Sequence, residues 1–171
     1  MFKNPGVKNG VFLAISYIAF TQICYHVNPK SIFNFFQYLA FFLSVFFVYK
    51  SAIEEKRRNE GLITFSEALK VTFLTYAIGG VLWAIYYYLL INVIDTSLND
   101  VAREVTLELT EGMVDMMGGE ADQLDNLEDQ LDEQNMTMSF PIIFMNYLVS
   151  LIFPGFILAL IISAITKNAK N

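Results

Sequence analysis

The stretch FPIIFMNYLVSLIFPGFILALIISAI, residues 140–165, contains no Asp, Glu, Lys, Arg or His. At ~1.5 Å of rise per residue a helix of that length reaches about 39 Å, enough to cross a hydrocarbon core of ~30 Å with some tilt. Upstream lie three more apolar runs, 11–27, 32–49 and 71–94, each free of charge except at its margins. The first two are just long enough to span and the third spans with tilt. The sequence therefore predicts an all-α polytopic membrane protein of four transmembrane helices in contact with the lipid bilayer. Composition agrees, because 55 % hydrophobic residues, 15 % aromatic residues and a mean hydropathy of +0.46 do not describe a soluble domain.

The same arithmetic excludes chemistry. The single cysteine, Cys24, cannot form an internal disulfide, and with the single histidine, His26, it cannot make the usual thiolate or imidazole zinc site. Nucleophile-base pairs, metal clusters and glycine-rich phosphate loops are all missing, so an enzyme is not expected, nor is a cofactor. No acid or base lies within the four apolar cores, where an ion-coupled carrier would keep one.

Net charge is −6, but it divides sharply. Residues 95–139 carry thirteen acids and one base, Arg103, while the rest of the chain carries ten bases and four acids. An acidic segment of that size makes nucleic acid an improbable partner, since phosphate demands a basic stripe. Nine Lys and Arg residues lie in the N-terminal tail, the 50–70 link and the C-terminal tail, against Lys30 and Arg103 in the other two connections. Translocation disfavours positive charge, so both termini are expected in the cytoplasm and the acidic segment outside. Lys3 and Lys8 precede the first run as a signal peptide's basic end would, but no small-x-small cleavage site follows and Ile23 is too bulky to precede a lipidated Cys24. The first helix is expected to be retained.

The chain organises as 1–94 (three spans with the basic link), 95–139 (an acidic insertion) and 140–171 (the fourth span and tail). In the link, Thr64 and Glu67 have the spacing of a capping box, which starts the third helix near Phe65. The neighbouring charges at 54–58 read as a solvated collar at the headgroups, with a lipid site as the alternative. In the insertion, Leu98, Ala102, Val105, Leu109, Met113 and Met116 recur at helical spacing, as do Leu124, Leu127 and Leu131. Gly118 and Gly119 between them signal a turn. The expectation is a helical hairpin whose first arm prolongs the third span without interruption to Met117, with Asp95, Thr96 and Ser97 as its weak point. A disordered acidic loop is the alternative. The acids from Asp122 to Glu133 lack the glycine and alternation of a calcium loop and read as a solvated face. Asn135 opens a glycosylation sequon to which no role is assigned.

Three devices concern packing. Gly79, Gly80 and Ala84 offer a small face for close helix approach, in a homo-oligomer or against another membrane protein. Pro154 and Gly155 kink the fourth helix and free the Ser150 carbonyl, making a hinge or a lipid-access groove. Trp83, Tyr86, Tyr87 and Tyr88 read as an interfacial aromatic belt. Polar residues within the spans, Asn146 and Ser150 among them, read as links between helices.

A basic tail with Lys8-Asn9-Gly10, the link Gly61-Leu62-Ile63-Thr64-Phe65-Ser66-Glu67-Ala68-Leu69-Lys70, a glycine-containing third span and a segment before the fourth resemble the bacterial domain of unknown function 4199 family. The resemblance is to proteins typical of Bacteroidota. It implies an inner membrane and a periplasmic hairpin, and brings no catalytic residues with it. Two functions are expected: a non-catalytic accessory or assembly subunit binding other membrane components, and, as the alternative, a small carrier or flippase-like protein for lipid-linked or apolar cargo.

Overall fold

A computed structural model describes residues 3–34, 36–117 and 139–168, and the regular elements among them are all helical. Helix α1 (Pro5–Val27) begins before its apolar run because Asn4 caps it, its side chain accepting from the Gly6 amide at 2.8 Å, with Pro5 in the first turn. A 3₁₀ turn (Pro29–Ile32) takes up the start of the second apolar run and buries Ile32, so α2 (Phe36–Arg58) starts later than the run itself. Glu60 and Gly61 reverse the chain in the left-handed region (φ 55° and 86°), and the Gly61 amide closes onto the Lys56 carbonyl at 2.9 Å. Helix α3 (Phe65–Leu89) opens on the Thr64–Glu67 capping box: Glu67 N donates to Thr64 Oγ1 at 3.3 Å, and Thr64 N to Glu67 Oε2 at 2.9 Å.

The uninterrupted rod from Phe65 to Met117 is corrected by the structure. A π-helical turn (Leu90–Ile94) ends α3, Asp95 is extended (φ −143°, ψ 94°), and α4 (Leu98–Met117) begins anew. The Asp95 carboxylate accepts from the Ser97 amide at 3.1 Å and the Ser97 hydroxyl at 2.6 Å. Such a side chain offers the backbone a local alternative to the helix, and here that alternative wins. The turn at Gly118 and Gly119, the second arm and the acids after it lie outside the described residues.

The last stretch comprises α5 (Phe140–Ser150), a π-helical segment (Leu151–Phe156) and α6 (Ile157–Thr166). Its break falls at Phe153 (φ −136°, ψ 111°), before a cis Phe153–Pro154 bond. Gly155 accepts the Tyr76 ring where a Cβ would collide with it. Among the described residues, three helical stretches, Pro5–Val27, Phe65–Ile94 and Phe140–Thr166, are long and apolar enough to cross a membrane.

Helix α3 is the axis of the bundle. Against it α1 presents Gly6, Gly10, Leu13, Tyr17 and Thr21, all buried. Gly6 faces the Val71 carbonyl oxygen and Gly10 the Ile78 side chain, so the two backbones touch. This Gly6-x-x-x-Gly10 pair was legible as a small-x-x-x-small motif and is absent from the sequence reading. Gly79 packs on Leu13 of α1, Gly80 on Tyr147 of α5, and Ala84 on Ile143 and Tyr147. The small face expected to receive a partner is thus filled from within the chain.

At the end bearing the termini, α6 joins α2 through Val48, Ala52, Leu158 and Ile162, and the hydroxyls of Thr72 and Ser163 meet at 3.2 Å. Lys8 pairs with Glu54 at 3.3 Å, Lys56 donates to the Thr166 carbonyl, and Asn168 exchanges hydrogen bonds with Ile63. Part of the charged collar therefore fastens helices together.

Candidate functional site, a lateral groove

Helix α2 meets α6 but does not approach α5, so the two diverge away from the end bearing the termini. The space between them is a groove of about 840 Å³. Its back is α3, with Tyr76, Gly80, Trp83 and Tyr87, and Tyr17 of α1. One wall is Ala40, Phe41, Phe42 and Ser44 of α2; the other is Ile143, Asn146, Tyr147 and Ser150 of α5, continued by Pro154. The groove thus runs along the kinked helix, with Ser150 and Pro154 in its lining.

Helix α4 lays its apolar stripe across one end. Leu98, Ala102 and Val105 are buried; Leu98 joins Cys24, Ile32, Leu90 and Ile91, while Ala102, Val105, Thr106 and Leu109 line the groove. The cover expected from a second hairpin arm is supplied, for this part of the stripe, by the end of the bundle. Lys30 ties the lid down, its ammonium 2.8 Å from Glu104 and 2.6 Å from Glu108. The hydrogen bonds it donates to Glu104 first and Glu108 second raise the Lys30 pKa above its ordinary value. At the hinge, the Tyr25 hydroxyl donates to Asp95 at 2.8 Å. Hydrogen bonds from Ser97 first and Tyr25 second hold the Asp95 carboxyl below its ordinary value.

The aromatic residues read as an interfacial belt point inward instead. Trp83 donates from Nε1 to Thr21 Oγ1 at 3.1 Å and stacks on Tyr87 with centroids 4.8 Å apart; Tyr86 is hydrogen-bonded to Gln22. The reason is the partner face: α1 offers hydroxyl and amide groups at that level, and a buried indole takes one.

Among the described residues, not one Asp, Glu, Lys, Arg or His lines the groove. Most of its polar groups are already satisfied. The Tyr17 and Ser44 hydroxyls pair, and Ser44 donates on to the Ala40 carbonyl at 2.8 Å. Tyr147 donates to the Ala77 carbonyl at 2.8 Å, Ser150 to that of Tyr147 at 2.9 Å, and Thr106 to that of Ala102 at 2.8 Å. Among the described residues, two lining groups lack a hydrogen-bonding partner: the Tyr87 hydroxyl and the Asn146 amide. A second, shallower notch of about 270 Å³ lies at the other end of the bundle, between Lys3, Lys8, Glu54, Arg57 and Arg58. Among the described residues, His, Cys, Asp and Glu do not gather in threes that could hold a metal.

An uncharged groove inside a bundle of long apolar helices defines the class: an all-helical protein with membrane-like spans and an internal apolar cleft. The chain belongs to the family described as "Protein of unknown function (DUF4199)", whose model matches residues 8–168. No curated protein and no solved structure matches it significantly.

Proposed function

We propose that this chain is a four-span inner-membrane protein that holds the apolar chain of an amphiphile in its lateral groove, without catalysing a reaction. The observation that carries the reading is the groove itself: about 840 Å³, mostly apolar, with no Asp, Glu, Lys, Arg or His among its described lining residues, and roofed by an amphipathic helix. Ligand clefts fall at roughly 300–1,000 Å³ with mostly apolar linings, so the size suits a small amphiphile. Of the two functions expected from sequence, the carrier or holder of apolar cargo is favoured over the accessory subunit. The small-residue face that argued for a protein partner is already occupied internally.

Membrane insertion of all four helices is supported by what they expose. Helix α2 turns Phe46, 59 % exposed, and Tyr49 outward, and α5 and the break after it turn out Met145, Val149, Ile152 and Phe153. Contiguous aromatic and aliphatic surface of this kind is stable against lipid and not against water. The Lys and Arg distribution supports cytoplasmic termini, with the groove's roofed end and α4 on the periplasmic side.

Trp83, the single tryptophan, lines the groove and supplies the test. Brominated single-chain amphiphiles titrated into the purified protein in micelles should quench its fluorescence saturably, at about one molecule per chain. Ala40→Phe, which fills the groove, should abolish the saturable part. Quenching that rises linearly and equally in both proteins would sink the proposal.

A further inference from the structure

Resting on that reading, we infer that the groove selects an uncharged, hydrogen-bonding headgroup, recognised by the Tyr87 hydroxyl and the Asn146 amide. The other polar side chains described in the lining are spent within the protein, Tyr76 in a hydrogen bond with Ser150 and the rest on the partners given above. These two are not, and both line the groove without being sealed in the core, so they remain open to a ligand's polar group. They also lie together: Tyr87 packs in the cluster that contains Ile143, and Asn146 follows Ile143 by three residues on α5, one turn away. Asn146 is exposed toward the groove side of its helix, and Tyr87 is half-buried, its ring fixed between Trp83 and Phe33.

Depth agrees with the assignment. Tyr87 precedes the end of α3 and its π turn at Ile94 by seven residues, and Asn146 follows the start of α5 at Phe140 by six. At ~1.5 Å per residue both lie roughly 10 Å inside the same end of the bundle, where headgroups give way to chains. A ligand's polar group would sit at this level with its chain running down the groove toward Ser150 and Pro154.

Charge is excluded by the lining. With no Lys, Arg, Asp, Glu or His among the described lining residues, an ammonium or carboxylate drawn to this level would be desolvated without a counter-ion. An amide, ester or hydroxyl loses far less and gains both free groups: Tyr87 as donor or acceptor, and Asn146 as donor and acceptor at once.

The experiment uses Trp83 quenching on the intact protein with four brominated probes of one chain length: a primary amide, a carboxylate at alkaline pH, a quaternary ammonium, and a hydrocarbon with no headgroup. The amide should bind about tenfold more tightly than either ion, and the double variant Tyr87→Phe, Asn146→Leu should lose that margin about tenfold. The variant should still bind the headless hydrocarbon saturably and at least as tightly as the native protein, which also shows that it is folded. Equal amide affinity in both proteins, or tightest binding of an ion, would overturn the headgroup assignment while leaving the groove reading in place. Failure of all four probes to quench saturably would overturn the groove reading, and the assignment with it.

Discussion

Gly10 of α1 sits against Ile78 of α3 so closely that a Cβ on Gly10 would fall 2.8 Å from the Ile78 Cβ and 3.0 Å from the Thr75 carbonyl oxygen. Neither neighbour can swing aside, since one is a branched carbon on the chain and the other is backbone. Gly10→Ala should therefore lower unfolding stability by about 1–3 kcal/mol, the usual result of overpacking. Gly112, in α4, has nothing within 4 Å of its own Cβ position, and Gly112→Ala should raise helix stability by about 0.5–1 kcal/mol. Thermal unfolding of both variants in the same detergent checks the pair. Equal effects would mean that the α1–α3 contact is looser than described.

The threading can be tested with cysteines on a background in which the buried Cys24 is replaced by alanine. A cysteine at Glu111, exposed on α4, should react with a membrane-impermeant maleimide added to spheroplasts, and one at Asn59 should not until the membrane is opened. The opposite pattern would invert the protein.

Lys30 is the tether of the lid, and Lys30→Ala should broaden the spin-label distance between Ser31 and Glu111 at neutral pH. The sign of the pH dependence follows from the raised Lys30 pKa. A raised cationic pKa gives stability that is fully present below the ordinary lysine value of 10.5 and is lost as pH rises through the higher folded value. The distance distribution should hold steady from about pH 7 to about pH 9 and broaden only in stronger alkali. Broadening already at about pH 8 would assign the tether to another group.

Asp95 carries the opposite sign. Its depressed carboxyl contributes above the ordinary value of 3.8, and the contribution is lost as pH falls through the lower folded value. Hydrogen exchange at the Ser97 amide should be protected at about pH 5 in the native protein and unprotected at the same pH in Asp95→Ala. Equal protection in both would show that the break between α3 and α4 does not depend on this side chain.

Much of the local structure could be read from residues. The Thr64–Glu67 capping box, the break at Pro154 and Gly155, and the amphipathic stripe of α4 each depend on neighbours within a few positions, and sequence carries such neighbours directly. The interruption at Asp95 was visible as a weak point, but the hydroxyl of Tyr25 that also donates to this carboxylate comes from seventy residues away in the chain. The aromatic residues at 83–88 have the composition of a belt. Only the arrival of Thr21 and Gln22 beside them turns Trp83 and Tyr86 inward.

By itself the sequence determined an all-helical chain with long uncharged runs, because helix length, hydropathy and end caps are properties of consecutive residues. It also placed the small residues of α3 and the proline of the last helix. Tertiary structure alone decided what those features meet: Gly79 and Gly80 against Leu13 and Tyr147, and α2 held to α6 yet parted from α5. A cleft is the gap left where two helices fail to touch, and no single helix encodes it. The groove and its two free polar groups therefore exist only in the packed bundle.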